Sequence, residues 1–221
     1  MSSYVYMKIL ETQPRRYDRG IAWLSLGRAR KAKRRLVEDN VRKGCRVLEI
    51  GAGTGTMAVL AAGRGARVTG FDVSGPMLQV AREKVRDAGL EESIELLEMG
   101  VSGMDRFDDE SFDLVMSTLV FSELSHDEQA YALRHARRVL KPGGRLALAD
   151  EARPRSLARR VLHGALRIPL AAVTFALTQT STRAVEGLED AIRAAGFEIV
   201  KAQRSAFDSF LYVVAQKEGR P

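Results

Sequence analysis

Residues 47–55 read VLEIGAGTG, a short apolar run that leads into three glycines spaced two apart. The apolar run is typical of a buried strand, and the small apolar residues from Thr56 to Arg64 indicate a helix directly after it. Glycine lets the chain turn tightly and approach a ligand without a clash at Cβ. The following helix presents unpaired N–H groups at its start. The stretch therefore predicts a strand–turn–helix unit that can hold a ligand.

An acid follows at the distance that a nucleoside site needs. Residues 67–72 predict a second strand, and Asp72 ends it. A carboxylate there can accept both hydroxyls of a ribose. Dinucleotide sites use the spacing G-x-G-x-x-G, whereas here the spacing is G-x-G-x-G and Thr56 takes the sixth position. A tight turn without a ligand would explain the glycines alone. Asp72 favours a nucleoside site, and the glycine spacing disfavours a nucleotide-dependent oxidoreductase.

The remaining chain repeats the alternation of strand and helix. Ser74 and Ser125 are candidate helix N-caps, and Ser125 with Glu128 has the spacing of a capping box. Residues 141–144 predict the end of the second of these helices and a turn. Further strands are predicted at 93–97, 112–117, 145–149, 197–200 and 210–215, and a late helix at 185–195. This order predicts an α/β fold with a doubly wound, mostly parallel sheet covered on both faces.

Composition is that of a globular protein. The chain has 221 residues, 45% hydrophobic and 29% charged, which argues against disorder, collagen and coiled coil. The single cysteine, Cys45, excludes an internal disulfide framework, and three scattered histidines lead us to expect no metal site. No secretory signal opens the chain, and the longest uncharged run is shorter than the ~20 residues that span a bilayer. We expect a soluble, cytoplasmic protein.

The net charge of +7 is concentrated in two stretches, residues 28–46 and 153–167. Solvated helix faces would explain both stretches. The alternative is a docking surface for an acidic protein or an anionic lipid. Aromatic residues do not alternate with these charges, so we expect no nucleic-acid partner.

Four motifs together resemble the class I S-adenosylmethionine-dependent methyltransferases. They are residues 47–55, residues 71–78 (FDVSGPML), residues 107–115 (FDDESFDLV) and residues 138–146 (RVLKPGGRL). The resemblance spans about residues 14 to 215. Residues 17–18 (YD) with 24–27 (LSLG) are similar to the ubiquinone and menaquinone C-methyltransferases. The opening residues 4–8 (YVYMK) are similar to methyltransferases encoded beside corrinoid proteins.

The resemblance implies a seven-stranded sheet with an antiparallel last strand and S-adenosyl-L-methionine as cofactor. The methionine part would lie over Gly51 and Gly53, the ribose would meet Asp72, and Val73 would pack on the adenine. Glu49 would face the amino end of the methionine. The full set of expected cofactor contacts is Glu49, Gly51, Ala52, Gly53, Gly55, Asp72, Val73, Met77, Val101, Ser102, Ser117 and Thr118.

One position departs from the family pattern. Family members carry Gly-Asp-Ala after the third strand, and that Asp accepts from the adenine amino group, whereas this chain reads Gly100-Val101-Ser102. Val101 offers no side-chain acceptor. Either Ser102 or a backbone carbonyl replaces it, or packing alone holds the adenine.

Methyl transfer from a sulfonium is an in-line displacement, so the protein mainly aligns the acceptor and excludes water. A base is needed only where the acceptor must lose a proton. Glu123 and His126, after the fourth strand, are candidate bases; the alternatives are a solvated or structural role for Glu123 and, for His126, a place in the first turn of a helix beside its cap. The resemblance places Tyr17 in an N-terminal helical lid over residues 1–44; alternatively Tyr17 pins an N-terminal helix to the core.

Residues 45–221 would form the cofactor-binding domain, with residues 151–182 as a cover over the acceptor. This cover is basic first and then apolar, which suits a greasy acceptor such as a prenylated quinone, a partner's apolar surface or a peripheral membrane contact. A plain core helix is the alternative. We expect methyl transfer to a small or lipid-like, quinone-type acceptor. The alternative is a methyltransferase or cofactor-binding accessory factor that serves a corrinoid protein.

Overall fold

A computed structural model describes residues 28–152, 185, 187–205 and 210–219. Its elements are, in chain order, α1 (Arg28–Asn40), β1 (Arg46–Ile50), α2 (Thr56–Ala62), β2 (Arg67–Asp72), α3 (Gly75–Asp87), β3 (Ile94–Glu98), a 3₁₀ helix (Val101–Arg106), β4 (Phe112–Thr118), α4 (His126–Val139), β5 (Leu140–Glu151), α5 (Leu188–Ala194), β6 (Phe197–Arg204) and β7 (Phe210–Lys217). Strands and helices alternate, as the sequence predicts.

The described strands form one seven-stranded sheet in the order β3-β2-β1-β4-β5-β7-β6. β1 is parallel to β2 and β4, β2 to β3, and β4 to β5, whereas β7 is antiparallel to both β5 and β6. The doubly wound sheet with an antiparallel last strand is therefore confirmed. The chain reverses its winding direction at β1 and β4, and their carboxyl ends lie at the topological switch point where such sheets bind ligands.

Alternate residues of the central strands point to two separate cores. On one face, Leu48 and Ile50 pack with residues of α4 and α5 such as Leu133 and Ile192. On the other face, Val47 packs with residues of α1 and α2 such as Leu36 and Met57. Burial on both faces explains why β1 and β4 read as nearly continuous apolar runs. The rigid sheet holds the loops at its carboxyl edge in fixed positions.

β5 is longer than the predicted strand at 145–149 and begins directly after α4. The predicted turn at residues 141–144 lies inside β5 as an irregularity, because the register with β4 passes from Phe112↔Leu140 to Leu114↔Arg145. Gly143 has φ +75°, and its carbonyl accepts a hydrogen bond from the Gln216 side chain at 3.1 Å. The predicted end of the helix is confirmed, because α4 ends at Val139, whereas the predicted turn was wrong, because residues 141–144 continue within β5.

The late helix also begins later than predicted. α5 begins at Leu188, after Gly187 with φ +67°, whereas Val185 pairs with Ala152 in a parallel bridge and donates to the Glu151 carbonyl at 3.0 Å. Of the N-terminal extension, α1 lies within the described residues and packs on α2, β4 and β5. Residues 153–182 of the expected acceptor cover lie outside the described residues.

Candidate functional site

The glycine turn leaves β1 and is anchored to β2 by its backbone. The N–H groups of Gly51 and Ala52 both donate to the Phe71 carbonyl, at 2.9 and 2.8 Å. Gly51, Gly53 and Gly55 have φ of +72°, +53° and +73°, the left-handed region that only glycine enters at little cost. The sequence pattern thus places three left-handed residues at the carboxyl edge of the sheet.

The three glycines differ in what surrounds them. A Cβ on Gly51 would lie 2.2 Å from Cγ2 of Val120, and a Cβ on Gly55 would lie 2.8 Å from that of Ala81 in α3. Around Gly53, no heavy atom of the described residues lies within 4 Å of the Cβ position. Gly51 and Gly55 therefore allow close packing within the protein, whereas Gly53 leaves its face open to a ligand.

Asp72 ends β2 and holds the glycine turn from the side. Its Oδ2 accepts the Gly53 N–H at 2.8 Å, and its Oδ1 accepts the Ser74 N–H at 2.9 Å. Each carboxylate oxygen has a second lone pair, so both can also accept a hydroxyl. Burial raises the pKa of Asp72, while the hydrogen bonds from Ser74 and Gly53 oppose that shift. The side chain that the sequence assigns to a ribose is thus adjacent to the glycine turn.

Glu49 lies one strand residue before the turn and is almost fully buried, with 2% of its surface exposed. The Ala58 N–H of α2 donates to its carboxyl group, but its Oε2 has no hydrogen-bond partner among the described residues. Burial, opposed by Lys33 of α1 and assisted by the nearby Asp72, raises the pKa of Glu49 to about 8. A buried carboxyl oxygen without a partner is costly, so its presence indicates a site for a polar or cationic ligand group.

The expected adenine side is formed by the ends of β2 and β3. Val73 directly follows Asp72, is 73% exposed, and has Cγ1 3.4 Å from the Cβ position of Gly100. Val101 is buried, whereas Ser102 is exposed and its carbonyl accepts the Tyr131 hydroxyl at 3.1 Å. An exposed apolar side chain beside an acid is suited to stack against a flat ring. The Ser102 Oγ lies 3.9 Å from the Cβ position of Gly100, and its assignment to the adenine remains a prediction.

Four of the predicted contact residues are buried. Ala52 lies within the glycine turn, and Met77 lies in α3. The buried Ser117 hydroxyl donates to the Ile50 carbonyl at 2.8 Å, and the buried Thr118 hydroxyl lies 3.1 Å from the Met57 sulfur. The assignment of each of these four residues to the cofactor remains a prediction.

The candidate bases lie on the segment between β4 and α4. Glu123 and His126 are both exposed; the Glu123 N–H donates to the Val120 carbonyl at 2.9 Å, and His126 opens α4. The predicted capping box is confirmed, because the Ser125 hydroxyl accepts the Glu128 N–H and the Glu128 side chain accepts the Ser125 N–H. Tyr17 lies outside the described residues. The catalytic roles of these three residues remain predictions.

Two buried polar residues near this segment were missed in the sequence. Asp150, near the end of β5, accepts the Ser122 N–H at 3.3 Å. Gln129 of α4 donates to the carbonyls of Phe121 and Leu124 at 2.8 and 3.1 Å. The signal for Asp150 was an acid at the carboxyl end of a predicted strand, where sheets of this type bind ligands. Gln129 gave no such signal, because a glutamine one turn into a helix usually faces solvent.

The basic stretch at residues 28–46 is partly neutralised. Arg34 pairs with Glu38 at 3.5 Å, and Arg35 pairs with Asp39 at 3.4 Å, each one turn apart on α1. Lys33 instead lies near enough to Glu49 and Asp72 to lower the pKa of both. Lys33 is therefore the basic residue of this stretch that acts on the acids of the candidate site. Within the described part of the chain, none of the helices combines the length and apolar character needed to cross a bilayer.

Comparison with known proteins agrees with this geometry. A family model described as a methyltransferase domain matches residues 47–144. A ubiquinone/menaquinone biosynthesis C-methyltransferase from Pseudoalteromonas translucida (strain TAC 125) is 35% identical over 143 residues, which cover 63% of this chain and 56% of that protein. A phosphatidylethanolamine N-methyltransferase from Cereibacter sphaeroides is 36% identical over 143 residues, which cover 64% of this chain and 68% of that protein.

Among solved structures, an S-adenosylmethionine-dependent methyltransferase from Mesorhizobium loti superposes with a TM-score of 0.63. It is 22% identical, and the match covers 85% of this chain and 96% of that one. This likeness concerns the fold. Four quinone methyltransferases are matched over only 55% to 59% of their own length, so this chain spans little more than half of them.

Proposed function

The chain belongs to the class I S-adenosylmethionine-dependent methyltransferases, and we propose that it transfers a methyl group from S-adenosylmethionine to a small or lipid-like acceptor of the quinone type. Matches to methyltransferases at 35% and 36% identity support the reaction. Both named relatives act, by their names, on quinone-pathway or phospholipid molecules, and this supports a lipid-like acceptor. The acceptor itself rests on that likeness and on the apolar sequence of the expected cover.

The residues of the site fit the proposed cofactor. Its cationic amino group needs an anion, and Glu49 offers a buried oxygen without a partner among the described residues. Its ribose hydroxyls need acceptors, and Asp72 has lone pairs available beside the turn. The open face of Gly53 leaves room for close approach, and the exposed Val73 offers an apolar surface to the adenine.

The observation that carries the proposal is the bond between Gly53 N–H and Asp72 Oδ2, 2.8 Å long. This hydrogen bond joins the glycine turn to the acid at the end of the neighbouring strand. The turn and Asp72 would therefore contact a bound nucleoside on the same side. In a dinucleotide site the third glycine would fall one residue later, at the position that Thr56 takes here. This spacing favours a nucleoside with an amino-acid tail over a dinucleotide.

The mechanism requires little covalent chemistry from the protein. When bound, the cofactor supplies an electrophilic methyl group with a neutral leaving group. Glu49 and Asp72 would hold the two polar ends of the ligand, and the segment between β4 and α4 packs against the turn, since Val120 lies at the Cβ position of Gly51. Holding the reactants in line and excluding water contributes about 7–11 kcal/mol to lowering the barrier in favourable cases.

The test is a methyl-transfer assay with tritiated cofactor and three acceptors. These are vesicles that contain a demethylated menaquinol, vesicles of phosphatidylethanolamine, and a purified corrinoid protein. We expect label in the menaquinol, and Asp72→Ala should lower the incorporation by about 10- to 100-fold at low cofactor concentration. Label in the phospholipid or the corrinoid protein alone would move the assignment to that acceptor. No label in any of the three would contradict the acceptor proposal.

A further inference from the structure

β5 brings a buried acid to the segment that follows β4. The paired residues of β4 and β5 end at Thr118↔Ala149, so Asp150 lies one residue beyond the last pair, at the carboxyl edge of the sheet. Its side chain is 2% exposed. Its strand neighbour on β7 is Leu211, which is apolar and buried. Asp150 is therefore enclosed on the sheet side and turned to the segment between β4 and α4.

Ser122 is the residue of that segment that contacts Asp150. The Ser122 N–H donates to Oδ2 of Asp150 at 3.3 Å, and the Ser122 hydroxyl also hydrogen-bonds to the carboxyl group. The other oxygen, Oδ1, accepts the N–H of the following residue, Glu151, at 2.7 Å. Ser122 itself is only partly buried. The hydroxyl thus links a buried carboxyl group to a position nearer the surface.

The segment is held in place, which fixes the position of Ser122. Leu119 is buried with φ +60°, a strained conformation for a residue other than glycine, and its N–H donates to the Ala149 carbonyl at 3.0 Å. Gln129 holds the carbonyls of Phe121 and Leu124 from α4. Strain of this kind persists where surrounding contacts impose it, and it is concentrated at functional sites.

The same segment contacts the glycine turn. Cγ2 of Val120 lies 2.2 Å from the Cβ position of Gly51, so the segment packs directly against the backbone over which the methionine part of the cofactor is expected. Ser122 follows two residues later. An acceptor that enters above the turn would therefore meet this segment.

We propose that Ser122 and Asp150 form a relay that takes up the proton which the acceptor loses during methyl transfer. The new bond joins the acceptor to the methyl group, and the acceptor's proton passes to the Ser122 oxygen. At the same time the Ser122 hydroxyl proton passes to the Asp150 carboxylate, which becomes neutral. The inference rests on the proposed methyl transfer to an acceptor that carries a proton.

The surroundings of Asp150 suit a proton acceptor. Burial is the main cause that raises the pKa of Asp150 to about 7; the adjacent Glu151 carboxylate acts in the same direction, and the hydrogen bonds from Ser122 and the Glu151 N–H oppose the shift. A base is most effective when its pKa lies near the working pH. Among the described residues, the charged group that acts on Asp150 is Glu151 on β5. The neighbour on β7 is uncharged.

The exposed candidates are less suited to this role. Glu123 and His126 stand at the protein surface, where water shields their charge and competes for the proton. Asp150 is shielded from water by the core, so a charge change there is felt strongly. In this proposal the proton ends on Asp150, a residue that the sequence analysis did not select.

The experiment measures kcat as a function of pH with the demethylated menaquinol for the wild type, Asp150→Asn and Ser122→Ala. Asn keeps the shape and one acceptor oxygen, which suffices for one of the two backbone N–H groups that Asp150 binds, but it cannot take the proton. We expect kcat of Asp150→Asn to fall about 100-fold or more, and the rise of kcat around neutral pH to disappear. Ser122→Ala should lower kcat while it leaves cofactor affinity unchanged.

Asp113→Asn is the matched control, because Asp113 also accepts a backbone N–H, that of Arg46 at 2.7 Å, at the opposite edge of the sheet. Its kcat and pH profile should equal those of the wild type. If Asp150→Asn keeps the wild-type kcat, or loses activity with an unchanged pH profile, Asp150 only positions the segment and the relay is wrong.

A second readout needs no acceptor and so separates this inference from the proposed function. Infrared difference spectra should show a carboxylic-acid C=O band that titrates near neutral pH in the wild type, is absent in Asp150→Asn, and shifts in Ser122→Ala. A wild-type spectrum without a band that depends on Asp150 would overturn the relay, whichever acceptor the enzyme uses.

Discussion

The two halves of the site each bury one acid but satisfy it differently. In the cofactor half, formed by β1, α2 and β2, Glu49 is 2% exposed and its Oε2 has no partner among the described residues. In the acceptor half, formed by β5 and the segment after β4, Asp150 is equally buried, yet both of its oxygens accept hydrogen bonds. Glu49 therefore has an oxygen that can accept from a ligand, whereas both oxygens of Asp150 already accept from backbone N–H groups.

This difference distinguishes an acid that is available to bind a ligand from an acid that positions a loop or relays a proton. An unpartnered buried carboxyl oxygen costs free energy in the empty protein, and a ligand cation recovers that cost. A carboxyl group that accepts hydrogen bonds from a loop instead changes those bonds when it gains or loses a proton. Each half can therefore be perturbed separately, and the largest expected effects belong to the cofactor half.

The largest effect is expected for Gly51→Ala. The new Cβ would clash with Cγ2 of Val120, and φ of +72° would strain any other residue. Left-handed strain and overpacking together should cost about 2–5 kcal/mol in the free energy of unfolding. The turn should also lose its shape, so cofactor binding should disappear. Chemical denaturation and calorimetry measure the two effects.

Gly44→Ala is the matched control, because Gly44 has φ +82° but no heavy atom of the described residues within 4 Å of its Cβ position. Gly44→Ala should lower the free energy of unfolding by about 1–2 kcal/mol, from the left-handed strain alone, and should bind the cofactor normally. Equal losses in the two variants would mean that the contact with Val120 does not matter.

Asp72→Ala should weaken cofactor binding by about 10- to 100-fold, since hydrogen bonds to a charged group contribute about 1.5–3 kcal/mol each. The variant also leaves the Gly53 and Ser74 N–H groups without their acceptor. Calorimetric titration with S-adenosylhomocysteine gives the dissociation constant. Asp113→Ala, an acid at the other sheet edge that binds Lys141 and the Arg46 N–H, should bind normally. An unchanged affinity in Asp72→Ala would remove Asp72 from the ribose.

The cofactor half could be predicted from sequence because its geometry is local. The glycine turn and Asp72 lie within one strand–helix–strand unit, and special φ angles demand glycine, so residue type and spacing carry the information. The orphan oxygen of Glu49 could not be predicted in this way. It depends on the burial of the β1 face beneath α1 and α2, which are brought together only in the fold.

Glu49→Gln should weaken cofactor binding by about tenfold, since the amide cannot pair with the cationic amino group. It should also change the pH dependence of stability. The folded pKa of Glu49 is raised to about 8, so the native state holds a proton that the unfolded chain releases. The stability contributed by this position is fully present below the unfolded pKa of about 4.5 and is lost as pH rises through the folded pKa.

Glutamine has no such proton, so the stability of Glu49→Gln relative to the wild type should increase as pH rises. Thermal unfolding of the ligand-free protein at several pH values measures the difference, in which the contribution of Asp150, whose charge is not among the causes of the Glu49 shift, cancels. A difference that stays constant between about pH 5 and pH 8 would contradict the raised pKa of Glu49.

The smallest effect is expected for Ser125→Ala in the acceptor half. The Ser125 hydroxyl accepts the Glu128 N–H at the start of α4, and its loss should cost about 1 kcal/mol. For a chain of this length that shift lowers Tm by about 2–4 °C. Differential scanning calorimetry would detect it. Ser111→Ala, whose hydroxyl donates to the Asp108 carbonyl outside a helix start, is the control and should change Tm less.

The acceptor half was harder to predict because its contacts join distant parts of the chain. Ser122 meets Asp150 across 28 residues, and no spacing rule links a loop serine to an acid on the next strand. The predicted extent of β5 was also wrong, because the proline and glycines at residues 141–144 lie within the strand. Two side chains of β7 bind this part of β5: Gln216 donates to the Gly143 carbonyl, and Lys217 donates to the Leu140 carbonyl. Local turn signals do not include such long-range contacts.

The central claim is tested most directly by isothermal titration calorimetry of the purified chain with S-adenosylmethionine, S-adenosylhomocysteine and NAD. The account predicts one molecule of either sulfur nucleoside bound per chain and no heat from NAD. Saturable binding of NAD, together with no binding of S-adenosylmethionine, would contradict the assignment of the glycine turn, Glu49 and Asp72 to this cofactor.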